Sequence, residues 1–105
     1  SDIFKRRMTL NVTWDEEKRR ANLAKHGLDF AAAEKLFDDY RLERLDTRRD
    51  YGEDRWVALG MIHGKVVVLV YTERDEDIRA ISLRKATPEE RTIYEQARFK
   101  RLGPA

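Results

Sequence analysis

The sequence is poor in several residue types, and each shortage removes a class of protein. None of its 105 residues is a cysteine, so disulfides and thiolate-bound metals are excluded. His26 and His63 are the only histidines, too few for a His-rich metal centre; neither a metal nor a cofactor is expected. No apolar run approaches the roughly 18 residues of a membrane span, and no signal-peptide pattern opens the sequence. The expectation is a cytoplasmic protein with no membrane partner. No internal repeat or low-complexity linker divides the chain.

What is present describes one packed unit. Hydrophobic residues make up 41% of the chain, enough for a core, and charged residues 40%, most of them surface. A single domain over residues 1–105 is expected. The net charge of +2 comes from the first seven residues, where Lys5, Arg6 and Arg7 outnumber Asp2; from Met8 onward acids and bases balance. Residues 1–7 are therefore expected as a flexible basic tail outside the fold. A nucleic-acid partner needs local clusters of Lys and Arg on a body of this kind.

Residue spacing predicts the elements. Alternation from Thr9 to Trp14 reads as a strand. Asp15 suits a helix N-cap, with Glu16 and Glu17 on the positive end of the dipole, and Gly27 suits the C-terminal left-handed position after His26. A second helix opens near Asp29 and buries Phe30, Ala33, Leu36 and Phe37. Arg41–Asp46 is expected as a short irregular edge strand, and 47–54 as a polar loop. Strands Arg55–Ile62 and Lys65–Thr72 flank a His63–Gly64 hairpin turn. The second of them, apolar from Val66 to Tyr71, belongs at the sheet centre. A turn over Glu73–Asp77 leads to a last strand, Ile78–Lys85. Thr87, Pro88 and Glu90 form a capping-box start for a final helix ended by Gly103 and Pro104. The expected class is α+β, in the order β-α-α-β-β-β-β-α, with an antiparallel meander and two inserted helices on one face.

Basic residues recur on or beside this sheet: Arg48, Arg49, Arg55, Lys65, Arg74, Arg79, Arg84 and Lys85. Simple alternation in the last strand puts Ala80, Ser82 and Arg84 on one face, and Arg79, Ile81, Leu83 and Lys85 on the other. If helices cover the second face, the first is a shallow groove holding an Arg and a Ser. Metal-free RNA cleavage needs a base for the 2′-hydroxyl, cations around phosphorus and an acid for the 5′-oxygen. Arg offers a permanent planar fork for phosphate, and Lys, His, Tyr or Glu can move protons. The plainer alternatives are equally physical. An Arg on a sheet can be solvated or paired with a nearby acid. His26 and Lys25 suit the negative end of a helix dipole without any catalytic role. Trp14, Trp56 and Tyr94 can be core residues.

Taken in order, these segments resemble the BrnT toxins. The matching stretches are Trp14-Asp15-Glu16, Asn22, Lys25-His26-Gly27-Leu28-Asp29-Phe30 and Phe37-Asp38-Asp39. They continue with Asp50-Tyr51-Gly52-Glu53-Asp54-Arg55-Trp56, Val70-Tyr71-Thr72-Glu73-Arg74, Ile78 to Thr87, and Glu90-Arg91 with Tyr94-Glu95. The resemblance implies a RelE-like fold and a metal-independent endoribonuclease that inhibits translation as the toxin of a type II toxin–antitoxin pair. It implies neutralisation by a BrnA-type ribbon-helix-helix antitoxin, two toxins on an antitoxin dimer, with operator DNA reached only through that partner in repressing the shared operon. Within the basic zone, Arg55, Arg74 and Arg84 are the expected phosphate binders, and Lys25 and His26 the proton-transfer groups. Ser82 and Lys85 are secondary substrate contacts, and Trp56 and Tyr94 base-stacking candidates. Two other readings stay open: cleavage only on the ribosome, and a non-catalytic co-repressor of a DNA-binding partner. The mixed charge of the first helix weakens direct DNA reading.

Overall fold

A computed structural model describes residues 11–103; the expected tail and the start of the first strand, Thr9 and Leu10, lie outside them. The element order is β1 (Val12–Thr13), α1 (Glu16–His26), a 3-10 helix (Phe30–Asp38), β2 (Leu42–Leu45), β3 (Trp56–Ile62), β4 (Lys65–Arg74), β5 (Asp77–Lys85) and α2 (Pro88–Leu102). The strands form one sheet in the order β1-β5-β4-β3-β2. Strands β2 to β5 make the antiparallel meander, and β1 joins its far edge in parallel with β5, Val12 opposite Ile78.

Local chemistry sets the helix ends. Asp15 accepts the Glu17 N–H at 3.1 Å, and Gly27, at φ 71°, closes α1 by donating to the Leu23 carbonyl. At the start of α2, Thr87 Oγ1 accepts the Glu90 N–H while Glu90 Oε1 accepts the Thr87 N–H. The β3–β4 hairpin turns on His63 and Gly64, both at positive φ, as a two-residue turn of twisted strands requires. The β4–β5 hairpin is tighter than expected. Arg74 still pairs with Asp77, so the turn is only Asp75–Glu76 and both strands are longer than their sequence pattern indicated.

The inner face of the sheet carries the core. Ala58 and Ile62 of β3, Val67, Leu69 and Tyr71 of β4, and Ile78, Ala80 and Leu83 of β5 pack against Phe30, Ala33 and Leu36. The element holding these last three is a 3-10 helix rather than the α-helix its periodicity suggested. Phe30, Ala33 and Leu36 are spaced by three, and all are fully buried. A helix of three residues per turn aligns such positions on one line. Leu36 lies over Gly60, where a Cβ would come within 2.6 Å of its Cγ. Helix α1 runs beside β5 beyond the end of β1. There Asn22, 8% exposed, replaces a neighbouring strand: its side chain donates to the Leu83 carbonyl at 2.8 Å and accepts the Leu83 N–H at 3.1 Å. It also donates to the Leu28 carbonyl, tying the α1 turn to the sheet.

One feature of β5 changes the site. Val70 pairs with Ser82 and Tyr71 with Ala80, so Ile81 is an extra residue in the strand. This β-bulge breaks the simple alternation expected there. Ala80 and Leu83 both point into the core, and the expected grouping of Ala80 with Ser82 and Arg84 is corrected. Arg79 and Arg84, assigned to opposite faces by alternation, share the outer face.

Candidate functional site

Among the described residues the outer face is covered at one end only. Helix α2 packs there against β3, with Tyr94 fully buried and its hydroxyl donating to the Tyr40 carbonyl at 2.8 Å. Val66 and Val68 are buried where α2 begins, whereas Val57, Val70, Arg79, Ile81 and Ser82 keep partial exposure. The far end of this face meets the loop between β2 and β3. Thr72, an outer-face residue of β4, holds that loop by donating to the Asp54 carbonyl at 2.8 Å, and the Asp46 N–H donates to the Arg55 carbonyl at 2.7 Å.

The loop gathers cations. Glu53 lies between Arg55 and Arg74, at 4.0 Å and 3.5 Å, so two of the expected phosphate binders stand together. The Arg55 guanidinium sits 4.1 Å from the centroid of the Tyr51 ring, and its buried Nε has no hydrogen-bond partner among the described residues. Arg48 makes a two-pronged contact with Asp46, Nε to Oδ1 and Nη2 to Oδ2, both at 2.9 Å. The Asp46 side chain is 1% exposed and that of Arg48 71%. Tyr51 also donates to Asp46. The Arg48 fork, the Arg48 N–H and the Tyr51 hydroxyl hold the Asp46 carboxyl well below the usual carboxylate range, against the opposing effect of desolvation.

Arg84 enters the face from β5. It forks onto Glu90, Nη1 to Oε1 at 2.7 Å and Nη2 to Oε2 at 2.9 Å. Glu90 raises the Arg84 guanidinium above its ordinary range, opposed by desolvation and by the nearby positive charge of Arg48. The Glu90 carboxyl is lowered to about 2, chiefly by the Arg84 fork, with further help from the Thr87 N–H.

The remaining expected residues fall elsewhere. Ser82 shares the outer face with Arg84, beside the bulge. Lys85 pairs with Val67 and lies on the inner side at the strand end. Trp56 packs against the core on the inner face, and buried Tyr94 offers no ring to a base. Lys25 is exposed and His26 half-buried in the last turn of α1, at the β5 edge. Among the described residues no hydrogen bond or ion pair joins either to Arg55, Arg74 or Arg84. Asp46, Arg48, Tyr51, Glu53 and Glu90 complete the cluster and were not singled out as site residues by sequence. The spacing of Asp46, Arg48 and Tyr51 in a polar loop is the one local signal pointing to them.

Comparison with known proteins gives these groups a setting. A family model described as the ribonuclease toxin BrnT of type II toxin–antitoxin systems matches residues 14–90. The crystal structure of the Brucella abortus ribonuclease toxin BrnT is similar with a TM-score of 0.58 and 30% sequence identity, covering 75% of this chain and 99% of that one. No curated protein sequence gives a match. Fold and sequence thus define a ribonuclease-type toxin of a type II toxin–antitoxin system. The chain belongs to the BrnT family.

Proposed function

We propose that the chain is an endoribonuclease that cleaves RNA on the uncovered part of the outer sheet face and so inhibits translation. The observation supporting this reading is that Arg55 and Arg74 flank Glu53 beside Tyr51 on that face, with Arg48 forked onto Asp46 in the same loop and Arg84 further along on β5. Guanidinium groups suit the charge that accumulates on phosphorus when a 2′-oxygen attacks. In the proposed step the 2′-oxygen forms its bond to phosphorus as the bond to the 5′-oxygen breaks. A base takes the 2′-hydroxyl proton and an acid returns one to the leaving oxygen, giving a 2′,3′-cyclic phosphate. Arg55, Arg74 and Arg84 are assigned to the phosphate, Ser82 to a neighbouring substrate contact, and Lys25 and His26 at the β5 edge to proton transfer.

The family is that of the toxins of type II toxin–antitoxin systems, which implies an antitoxin partner that holds the chain silent. We assign that role to a BrnA-type ribbon-helix-helix protein, as a dimer carrying two toxins, through which the pair contacts operator DNA and represses its own operon. One observation favours ribosome-dependent cleavage as the second reading: Arg55, Arg74 and Arg84 already face carboxylates, and Lys25 and His26 stand apart from them. On that reading the ribosome supplies part of the acid–base geometry.

The test is incubation of the partner-free chain with end-labelled RNA in excess chelator, with and without ribosomes. Cleavage of naked RNA leaving 2′,3′-cyclic or 3′-phosphate ends is the expected result. Cleavage only with ribosomes selects the second reading, and silence in both arms refutes the enzyme.

A further inference from the structure

The arginines of the outer face are of two kinds. Arg48 and Arg84 each spend a fork on a carboxylate of their own, two nitrogens on two oxygens, at 2.7–2.9 Å. Arg55 and Arg74 share one carboxylate, an oxygen each: Arg74 Nη2 lies 3.5 Å from Glu53 Oε1, and Arg55 Nε 4.0 Å from Glu53 Oε2. Both contacts are longer than a charge-assisted hydrogen bond, and the buried Arg55 Nε has no hydrogen-bond partner among the described residues. The arginines are placed by other groups. Tyr51 sets its ring against the Arg55 guanidinium at 4.1 Å, and its hydroxyl is anchored on buried Asp46. The Asp46 N–H donates to the Arg55 carbonyl at 2.7 Å. Arg74 is seated in the sheet opposite Asp77. Glu53 is held more loosely. Its side chain is 33% exposed, the two long contacts are its only ion pairs among the described residues, and it follows Gly52 at φ 76°. A carboxylate bridging two cations in this way stands where another anion with two oxygens on one centre would stand. A phosphodiester is such an anion, and without one or the other the two like charges would face each other unrelieved.

We propose that Arg55 and Arg74 form one seat for a phosphodiester of the RNA strand, and that the Glu53 carboxylate fills this seat in the free chain and is displaced as the strand binds. The inference rests on the ribonuclease reading and deepens it by naming what restrains the site before RNA arrives. Glu53 thus opposes binding, while Tyr51 and Asp46 keep Arg55 aimed at the seat.

The test is equilibrium binding of a 2′-O-methyl RNA oligonucleotide, which cannot be cleaved, to the partner-free chain. Glu53→Gln is expected to bind it about threefold more tightly than the parent, because the competing ion pairs are gone. Arg55→Gln and Arg74→Gln are each expected to weaken binding about tenfold. The gain belongs to the seat, so adding Glu53→Gln to the Arg55→Gln/Arg74→Gln double variant recovers nothing. Glu76→Gln, which removes an equal charge from the exposed β4–β5 turn, binds like the parent. Glu53→Ala carries the test if the glutamine variant does not fold, with the same tightening expected. Folded Glu53 variants that bind no more tightly than the parent overturn the proposal. So does a gain that persists without both arginines, or one that Glu76→Gln reproduces. If the parent still cleaves the unmodified RNA in those cases, the ribonuclease reading stands without the displaced carboxylate. A parent that neither binds nor cleaves overturns both.

Discussion

Glu90 links the stability of the fold to the geometry of the site. One oxygen closes the capping box with Thr87, and both receive the Arg84 fork. The fork lowers its carboxyl from 4.5 to about 2, so the folded state binds this proton less readily than the unfolded chain does. Its contribution is complete above pH 4.5 and is lost as the pH falls towards 2. Asp46 and Asp29 act in the same direction, lowered chiefly by Arg48 and Arg19. Urea unfolding measured at intervals over that window is expected to show declining stability in the parent. Glu90→Gln should be less stable at neutral pH and should decline less steeply; an equally steep decline contradicts the assignment. The arginines of this site were legible as residue types, but their partners were not. Glu53 is one acid among many in the sequence and Glu90 was legible only as a capping-box residue; only the folded chain brings them onto Arg74 and Arg84.

Elements were legible wherever a local rule decides the backbone. Asp15 and Gly27 bracket α1, His63–Gly64 turns a hairpin, and Thr87-Pro88 with Glu90 starts α2, all from contacts within a few residues. Three features escaped because distant packing decides them. The 3-10 winding of Phe30–Asp38 follows from laying Phe30, Ala33 and Leu36 in one row on the sheet. The parallel seat of β1 depends on the Ile78 region, far along the chain. The bulge at Ile81 has no local signature, and without it Leu83 would leave the core. The contact between the 3-10 helix and β3 is tight enough to test. In Gly60→Ala the new Cβ meets the Leu36 side chain at 2.6 Å, in backbone that is not left-handed. Overpacking of this kind costs about 1–3 kcal/mol. The denaturant midpoint should fall accordingly, with recovery on adding Leu36→Val; an unchanged midpoint would mean that the two elements separate freely.

Across the whole molecule the two sheet faces divide the work. The inner face is closed by the 3-10 helix around one core, and α1 lies along the β5 edge through Asn22. The outer face, capped at one end by α2, carries the loop and strand cations. An insertion between β1 and β2 thus provides the core cover, while the outer side of the meander and its 46–55 loop form the surface proposed above for RNA. The measurement that tests this division most directly is a backbone amide shift map on titration with the uncleavable RNA. The account predicts changes at Asp46–Arg55, Val70–Arg74 and Arg79–Arg84, with the exposed side of the 3-10 helix unaffected. Changes centred on Phe30–Asp38, with the 46–55 loop silent, would contradict it.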